Sequence, residues 1–201
     1  LRPHTVLVCT QDEASDTKRL YTGVTVLVQP PEITTISAKR QWIVEQHQKD
    51  KLFMLDDDLR LCMRHPKEGQ GRYGDKDNSG VKLIQCSPEQ VSSMFSEWLK
   101  VLDTYAHAGI SARSGNQGRH PGWHENKRMM YGLGYQTRTL QRYGGKFSDI
   151  GHREDMYVSL RLLTSGHKNS VSYTWALDQV YGKSGGEKAF GRTMEASNAD
   201  A

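Results

Sequence analysis

The chain is poor in cysteine and has no long apolar run. Its three cysteines, Cys9, Cys62 and Cys86, are widely spaced and form no Cys-x-x-Cys pair, which argues against a disulfide framework and against a zinc site. No apolar stretch approaches the roughly 18–20 residues that span a bilayer, and the start lacks the charged-then-apolar pattern of a signal peptide. We therefore expect a soluble protein of a reducing cytoplasm, with no membrane partner.

Hydrophobic residues make up only 36% of the 201 residues, but this is still enough for one core. We expect a single domain over residues 1–201. Lysine and arginine number 27 against 23 acidic residues, which gives a net charge of +4. Such a mild excess allows a nucleic-acid partner without requiring one.

The apolar residues predict an α/β fold. Runs rich in β-branched residues at 5–9, 24–28 and 52–55 predict three strands of a central, mainly parallel sheet. Between the last two, residues 33–48 have a helical pattern, with Ser37 as a possible cap. This order predicts a right-handed βαβ unit that places the carboxyl end of the third strand at the ligand-binding edge.

The rest of the chain predicts more strands and two clear helices. Ser87 and Pro88 are typical of a helix start, and an apolar stripe follows them. The predicted strands are 81–86, 109–113 and 131–140, and a second amphipathic helix covers 151–163. Residues 64–80 and 114–128 are predicted as mobile loops, and residues 184–201 as a flexible tail.

Three consecutive carboxylates follow the apolar strand at 52–55. Because side chains alternate along a strand, Asp56 and Asp58 are expected on one side and Asp57 on the other. Mg²⁺ or Mn²⁺ prefers such oxygen ligands and keeps positions for water and phosphate. The strand in front favours a metal site with a nucleotide diphosphate, and the alternative is a solvated acidic turn.

The segment 114–128 is the most basic stretch that also contains an aromatic residue. Long basic loops of this kind grip single-stranded or distorted nucleic acid, although a solvated surface loop is an equal alternative. The residues that we expect to contact such an acceptor are Arg119, Trp123, His124, Lys127 and Arg128.

Glu154 and Asp155 open the helix at 151–163. Acids in a first turn are ordinary, since each stabilises the helix dipole by roughly 0.3–1 kcal/mol. However, an aspartyl metal strand followed about a hundred residues later by Glu-Asp resembles glycosyltransferases of the GT-A, Rossmann-like fold. The segments 37–40 and 145–149 match further pieces of that pattern in the same order.

The resemblance implies roles for individual residues. Asp56 and Asp58 would hold Mn²⁺ or Mg²⁺, and Asp155, with Glu154 beside it, would be the general base of an inverting enzyme. Enzymes of this family often supply a histidine late in the chain as a further metal ligand. The last histidine here, His167, lies close behind the helix instead, so Asp178 and Lys183 are candidate substitutes near the diphosphate. The residues expected to contact the donor are Thr10, Lys39, Arg40, Asp56, Asp57 and Lys183.

Within that fold, the length and the basic loop are similar to phage glycosyltransferases associated with TET-type oxygenases, relatives of the base J glucosyltransferase. This implies UDP-glucose as donor, 5-hydroxymethylcytosine in DNA as acceptor, and the host cytoplasm as location. Two alternatives remain open. One is a metal-dependent nucleotidyl or phosphoryl transferase, and the other is a non-catalytic DNA-binding module.

Overall fold

The computed structural model describes residues 4–47, 49–66, 81–112 and 121–179. Residues 67–80, 114–120 and 184–201, which cover most of the predicted loops and all of the predicted tail, lie outside these ranges. The elements are β1 (Val6–Cys9), α1 (Ala14–Leu20), β2 (Thr25–Val28), α2 (Ile36–Gln46), β3 (Lys51–Leu55), β4 (Leu59–Pro66), β5 (Val81–Gln85), α3 (Pro88–Thr104), β6 (His107–Ala112), β7 (Trp123–Glu125), β8 (Gly132–Gln136), α4 (Thr137–Tyr143), a 3₁₀ turn (Phe147–Asp149), α5 (Glu154–Thr164) and β9 (Asn169–Gln179).

The strands form two sheets. β1 and β2 pair in parallel by themselves, whereas β3 belongs to a seven-stranded sheet of order β3-β8-β6-β9-β4-β5, with β7 also paired to β9. The prediction of one mainly parallel sheet is wrong, because β6/β9 is the single parallel pair among the described strands of the larger sheet. An apolar run indicates that a strand is buried, but it does not specify the neighbouring strand.

The larger sheet must curl to close the link between β3 and β4. These strands lie four pairing steps apart in the sheet, which is roughly 19 Å in a flat sheet. The chain from Leu55 to Leu59 reaches at most about 14 Å. The link, which consists of the three aspartates, therefore lies where the carboxyl end of β3 approaches the start of β4.

Each face of this sheet has its own core. The first core receives α2, α4 and α5, and the second receives α3. β9 serves both cores, because its pairing with β6 shifts register after Ile110 and such an irregularity turns a strand over. Val171 and Tyr173 consequently face the first core, whereas Trp175 and Leu177 face the second.

Most predicted elements are confirmed, and several bounds are corrected. α2 is capped by Thr35, whose Oγ1 accepts from the Ala38 N–H at 3.2 Å, so Ser37 is a buried helical residue and not the cap. The predicted strand 131–140 is right only in its first half, because α4 follows and buries Leu140. Residues 64–66, predicted as loop, belong to β4, and residues 123–125 form β7. β4 and β9 had no sequence prediction.

Candidate active site

A buried arginine joins two predicted site segments. α2 buries one stripe of side chains, Ser37, Arg40 and Val44. From this stripe, Arg40 Nη2 donates to Asp56 Oδ1 at 2.9 Å, and Nη1 donates to Glu154 Oε1 at 2.6 Å. The end of β3 and the start of α5 are thereby fixed to the same guanidinium.

The ion pairs are largely shielded from water. Arg40 is 7% exposed and Glu154 is 4% exposed. Desolvating such charges costs several kcal/mol for each ion, which their mutual attraction repays only with good geometry. The ion pairs of Arg40 with Asp56 and Glu154 are therefore weak evidence for stability, and a functional role is needed to explain them.

Negative charge dominates around this arginine. Burial lowers the pKa of Arg40, but the carboxylates of Asp56, Glu154 and Asp155 outweigh it, so the pKa is raised. Burial raises the pKa of Asp56; Arg40 opposes this rise, whereas the charges of Asp58 and its neighbour Asp57 add to it. Several acids thus share one cation, which favours binding of a further positive charge.

The three aspartates point in different directions. Asp57 is exposed, whereas Asp56 and Asp58 are half-buried, as the alternation of side chains predicts. Asp58 Oδ2 accepts from Gln179 Nε2, at the end of β9, at 2.8 Å. Asp58 Oδ1 is shielded from solvent and has no hydrogen-bond partner among the described residues.

This donor set suits a hard divalent cation. A shielded carboxylate oxygen without a partner is costly, and Mg²⁺ commonly binds one or two carboxylates together with water and substrate phosphates. The described ranges contain no group of three or more His, Cys, Asp or Glu that could hold an ion. Asp178 is buried in β9 opposite Arg60, and Lys183 lies outside the described residues.

The two acids of α5 differ in access. Glu154 is buried and bonded to Arg40, whereas Asp155 is half-buried, and its Oδ1 accepts from the Met156 N–H at 2.8 Å. Both lie at the N-terminal end of α5, where the helix dipole favours negative charge. Asp155 is therefore the acid of this pair that a substrate can reach.

Strained backbone flanks the acids. Arg153, immediately before α5, has a φ of 59°, and Tyr131, immediately before β8, has a φ of 62°. The Tyr131 carbonyl accepts from the Asp56 N–H at 3.3 Å. Left-handed conformations of bulky residues cost roughly 1–3 kcal/mol each and concentrate at functional sites.

Two buried hydroxyls that the sequence analysis missed lie in the same layer. Tyr135 of β8 is fully buried, and its OH has no hydrogen-bond partner among the described residues. Burial raises its pKa; the charge of Arg40 opposes the rise, and those of Asp155 and Glu154 add to it. Ser159, one turn after Asp155, also has a buried hydroxyl without a described partner. The alternation of the predicted strand could have indicated Tyr135.

Two predicted donor residues influence one acid, Glu13. Glu13 Oε2 accepts from the Thr10 N–H at 3.0 Å and from the Thr10 hydroxyl at 2.8 Å. These bonds lower the pKa of Glu13, and the charge of Lys39 lowers it further. Thr10 is therefore bonded to Glu13, and Lys39, the residue before Arg40 on α2, acts on the same acid through its charge.

The predicted acceptor residues lie on and after β7. Trp123 is partly buried against the second core, and the His124 ring meets the Tyr173 ring edge-on at 5.0 Å. The backbone of Lys127 bonds to the Asn169 side chain at 2.9 and 2.7 Å. The exposed Arg128 precedes the turn at Tyr131 that reaches Asp56. Arg119 lies outside the described residues.

Hard oxygen ligands beside a helix-borne carboxylate are typical of enzymes that transfer a group from a phosphorylated donor. The family model for TET-associated glycosyltransferases matches residues 2–186, and the chain belongs to this family. The protein is therefore a glycosyltransferase with a sugar donor and an acceptor, as the sequence resemblance indicated. No protein of curated function matches the chain. None of the described helices has both the length and the apolar character to cross a membrane.

Proposed function

We propose that this protein is a metal-dependent glycosyltransferase of GT-A-like fold that moves a sugar from a nucleotide sugar, UDP-glucose, to 5-hydroxymethylcytosine in DNA. The bridge from Asp56 through Arg40 to Glu154 carries the proposal. It links the acids that suit a diphosphate-bound cation to the acids that suit a reacting hydroxyl.

The donor is assigned to residues that follow β1 and β3, to two residues of α2 and to Lys183. Asp56 and Asp58 would hold Mn²⁺ or Mg²⁺, and Thr10, Lys39, Arg40, Asp57 and Lys183 would line the nucleotide sugar. The cation would supply neutralisation of the charge that develops on the departing diphosphate. Arg40 keeps Asp56 oriented, since its second ion pair anchors it to α5.

The acceptor end is assigned to Asp155. Its carboxylate takes the proton of the hydroxymethyl group while the oxygen attacks the anomeric carbon, and the bond from that carbon to the diphosphate oxygen breaks. A single displacement on the opposite face inverts the anomeric centre. Glu154 holds Arg40, because its Oε1 is already engaged at 2.6 Å.

Arg119, Trp123, His124, Lys127 and Arg128 are proposed to contact the DNA acceptor. A base inside a duplex must leave the stack before its hydroxyl reaches the donor, at a cost of a few kcal/mol. The path from Arg128 to Tyr131, whose carbonyl meets the Asp56 N–H, supports contact between this segment and the site.

Two other functions make different predictions. A nucleotidyl or phosphoryl transferase would use the same aspartates but would leave no sugar on the acceptor. A DNA-binding module would give no function to the buried Arg40 and Glu154. The family assignment favours glycosyl transfer over both.

The test is incubation of hydroxymethylated DNA with protein, Mn²⁺ or Mg²⁺ and a panel of nucleotide sugars, followed by mass spectrometry of the nucleosides. We expect a hexose adduct on 5-hydroxymethylcytosine, no adduct on unmodified DNA, and loss of product in excess EDTA. A phosphorylated adduct would favour the phosphoryl transferase instead. Full activity in EDTA would remove Asp56 and Asp58 as metal ligands.

A further inference from the structure

The exposed side chains of α4, α5 and the turn between them are strongly basic. Residues 137–168 are all described, and in this range Asp149 is the single fully exposed acid. We define the α4–α5 basic surface by its exposed cations, which are Arg138, Arg142, Lys146, Arg153 and Arg161. Positive charge therefore outweighs negative charge on this surface.

The remaining charges of this range do not change that balance. Lys168 is exposed, but it is paired with Glu125 at 2.8 Å, so we leave it out of the surface. Glu154 is buried against Arg40, and Asp155 is half-buried at the site. From other elements, Glu45 of α2 lines the same shallow pocket as Lys146, and its Oε1 accepts from Gln41 Nε2 at 2.9 Å.

Four of these cations fall into two pairs of neighbours. Arg138 and Arg142 are one turn apart on α4 and therefore project from the same side. The backbone N–H of Lys146 and the Tyr157 hydroxyl lower the pKa of Asp149, and the charges of Lys146 and Arg161 lower it further. Lys146 and Arg161 thus flank one carboxylate.

The opposite face of the sheet has the reverse charge. On α3 the exposed charged residues are Glu89, Glu97, Lys100 and Asp103. Asp103 is paired with Lys51 of β3, which leaves Glu89 and Glu97 against Lys100, so this amphipathic helix is slightly acidic. The positive charge is therefore placed on the side that carries Glu154 and Asp155, and is not a general property of the surface.

We propose that the α4–α5 basic surface binds the phosphate backbone of the duplex DNA acceptor. The inference rests on the proposed function, since it needs a polyanionic acceptor. α5 has 11 residues and is about 16 Å long, a length along which duplex DNA presents several phosphates. Arg153 adjoins Glu154, so one end of the surface lies at the catalytic acids.

The test compares two triple variants of equal charge. One carries Arg138→Gln, Arg142→Gln and Arg161→Gln, and the control carries Lys18→Gln and Arg19→Gln on α1 and Lys100→Gln on α3, which are exposed on other elements. Both are made in an Asp155→Asn background, and binding to a duplex with one 5-hydroxymethylcytosine is measured against salt. The logarithmic salt slope should fall by about 2 to 3 in the first variant and stay at the parent value in the control.

The active proteins provide a second readout. When the α4–α5 triple variant is made in protein that keeps Asp155, KM for the duplex should rise and kcat should stay unchanged. Activity on the free hydroxymethylated nucleoside, which has no flanking phosphates, should be unaffected. The single variants Arg138→Gln and Arg161→Gln should each remove about one unit of the salt slope, so an unfolded triple variant leaves the proposal testable.

Different results would overturn the DNA-binding surface and the proposed function. A parent salt slope in the α4–α5 triple variant, or an equal loss in both triple variants, would overturn this surface as the DNA contact. Salt-dependent binding that is lost in the first variant alone supports the surface, even if no sugar transfer is found. Absence of transfer to every acceptor, with cation and donor present, would sink the proposed function.

Discussion

The two cores of this protein differ in the side chains that fill and border them. In the second core the rings of Phe53, Phe95 and Trp98 pack together at centroid distances of 4.6–5.8 Å, with one pair edge-on, one tilted and one stacked. The Trp98 N–H donates to the Ala108 carbonyl at 3.0 Å. The first core instead borders the buried charges of Arg40 and Glu154, which offer no such simple gain in stability.

The glycines of β8 show how closely the second core is packed. A Cβ on Gly134 would lie 2.6 Å from Trp98 Nε1, and a Cβ on Gly132 would lie 2.4 Å from Leu177. Only a residue without a side chain allows this approach of α3 to the sheet. The second core is therefore organised for packing.

The first core keeps unsatisfied polar atoms. The hydroxyls of Tyr135 and Ser159 have no described partners, and each such group costs roughly 1–3 kcal/mol. Unsatisfied groups and strained backbone accumulate where a ligand completes the hydrogen bonding. We therefore propose that the second core supports the fold and that the first core borders the active site.

Asp155→Asn should give the largest effect. If Asp155 is the general base, turnover should fall by roughly 10²–10⁴, with folding and donor binding almost unchanged. If it only complements the helix dipole, the change costs at most about 1 kcal/mol of stability. Thermal melts, donor titration and rates at saturating acceptor decide this, and a folded, donor-binding variant with the parent rate would exclude Asp155.

Arg40→Met should destabilise the fold by roughly 3–5 kcal/mol, because it leaves Glu154 buried without its cation. Urea unfolding of the variant and the parent measures the difference. As a control, Arg19→Met removes an exposed arginine paired with Asp16 and should change stability little. Equal stability of parent and Arg40→Met would show that the buried bridge is absent in solution.

Acid should weaken the fold through His107. This residue is fully buried, and its Nε2 donates to the His167 carbonyl at 3.0 Å. Burial lowers its pKa to about 4, against 6.5 ordinarily; the bond to His167 opposes this. Since the unfolded chain takes up the proton first, stability is full above pH 6.5 and falls as the pH approaches 4, by up to about 3 kcal/mol.

Chemical denaturation at pH 7 and pH 4.5 measures the His107 contribution. The parent should lose more stability between these values than His107→Gln, which has no group to protonate. The carboxylates titrate equally in both proteins and cancel in the comparison. The same loss in both would remove His107 from the acid response.

Tyr135→Phe should give the smallest change in stability. Removal of a hydroxyl without a partner should leave the free energy of unfolding unchanged or raise it by up to about 1 kcal/mol. Turnover should fall if the hydroxyl bonds to bound substrate. Tyr157→Phe is the matched control, because its hydroxyl donates to Asp149 at 2.9 Å, so stability should fall and turnover should stay. A destabilised Tyr135→Phe would indicate a bonded hydroxyl.

Local signals explain what the sequence predicted. The capping box of Ser87 and Gln90, the apolar strand before Asp56 and the acids that open α5 are all contained within a few residues. β9 was missed because its register shift moves the buried face from one side to the other, which hides the alternation. Strand neighbours depend on pairings between distant segments and could not be predicted.

The site was predicted as separate residues and not as a connected unit. Asp56, Arg40 and Glu154 were each proposed, but 114 residues separate Arg40 from Glu154, and no local pattern indicates their bond. Gln179, which holds Asp58, lies at the end of the strand that the sequence did not reveal. Long-range contacts therefore account for what was missed.

The double variant Arg40→Met/Glu154→Leu tests most directly whether the first core keeps its charges for function. Apolar replacement of a whole buried ion pair is often neutral or stabilising, so the double variant should recover the stability that Arg40→Met loses. It should nevertheless fail to transfer sugar, because Asp56 loses its guanidinium. A double variant as unstable as Arg40→Met, or one that transfers sugar at the parent rate, would contradict the account.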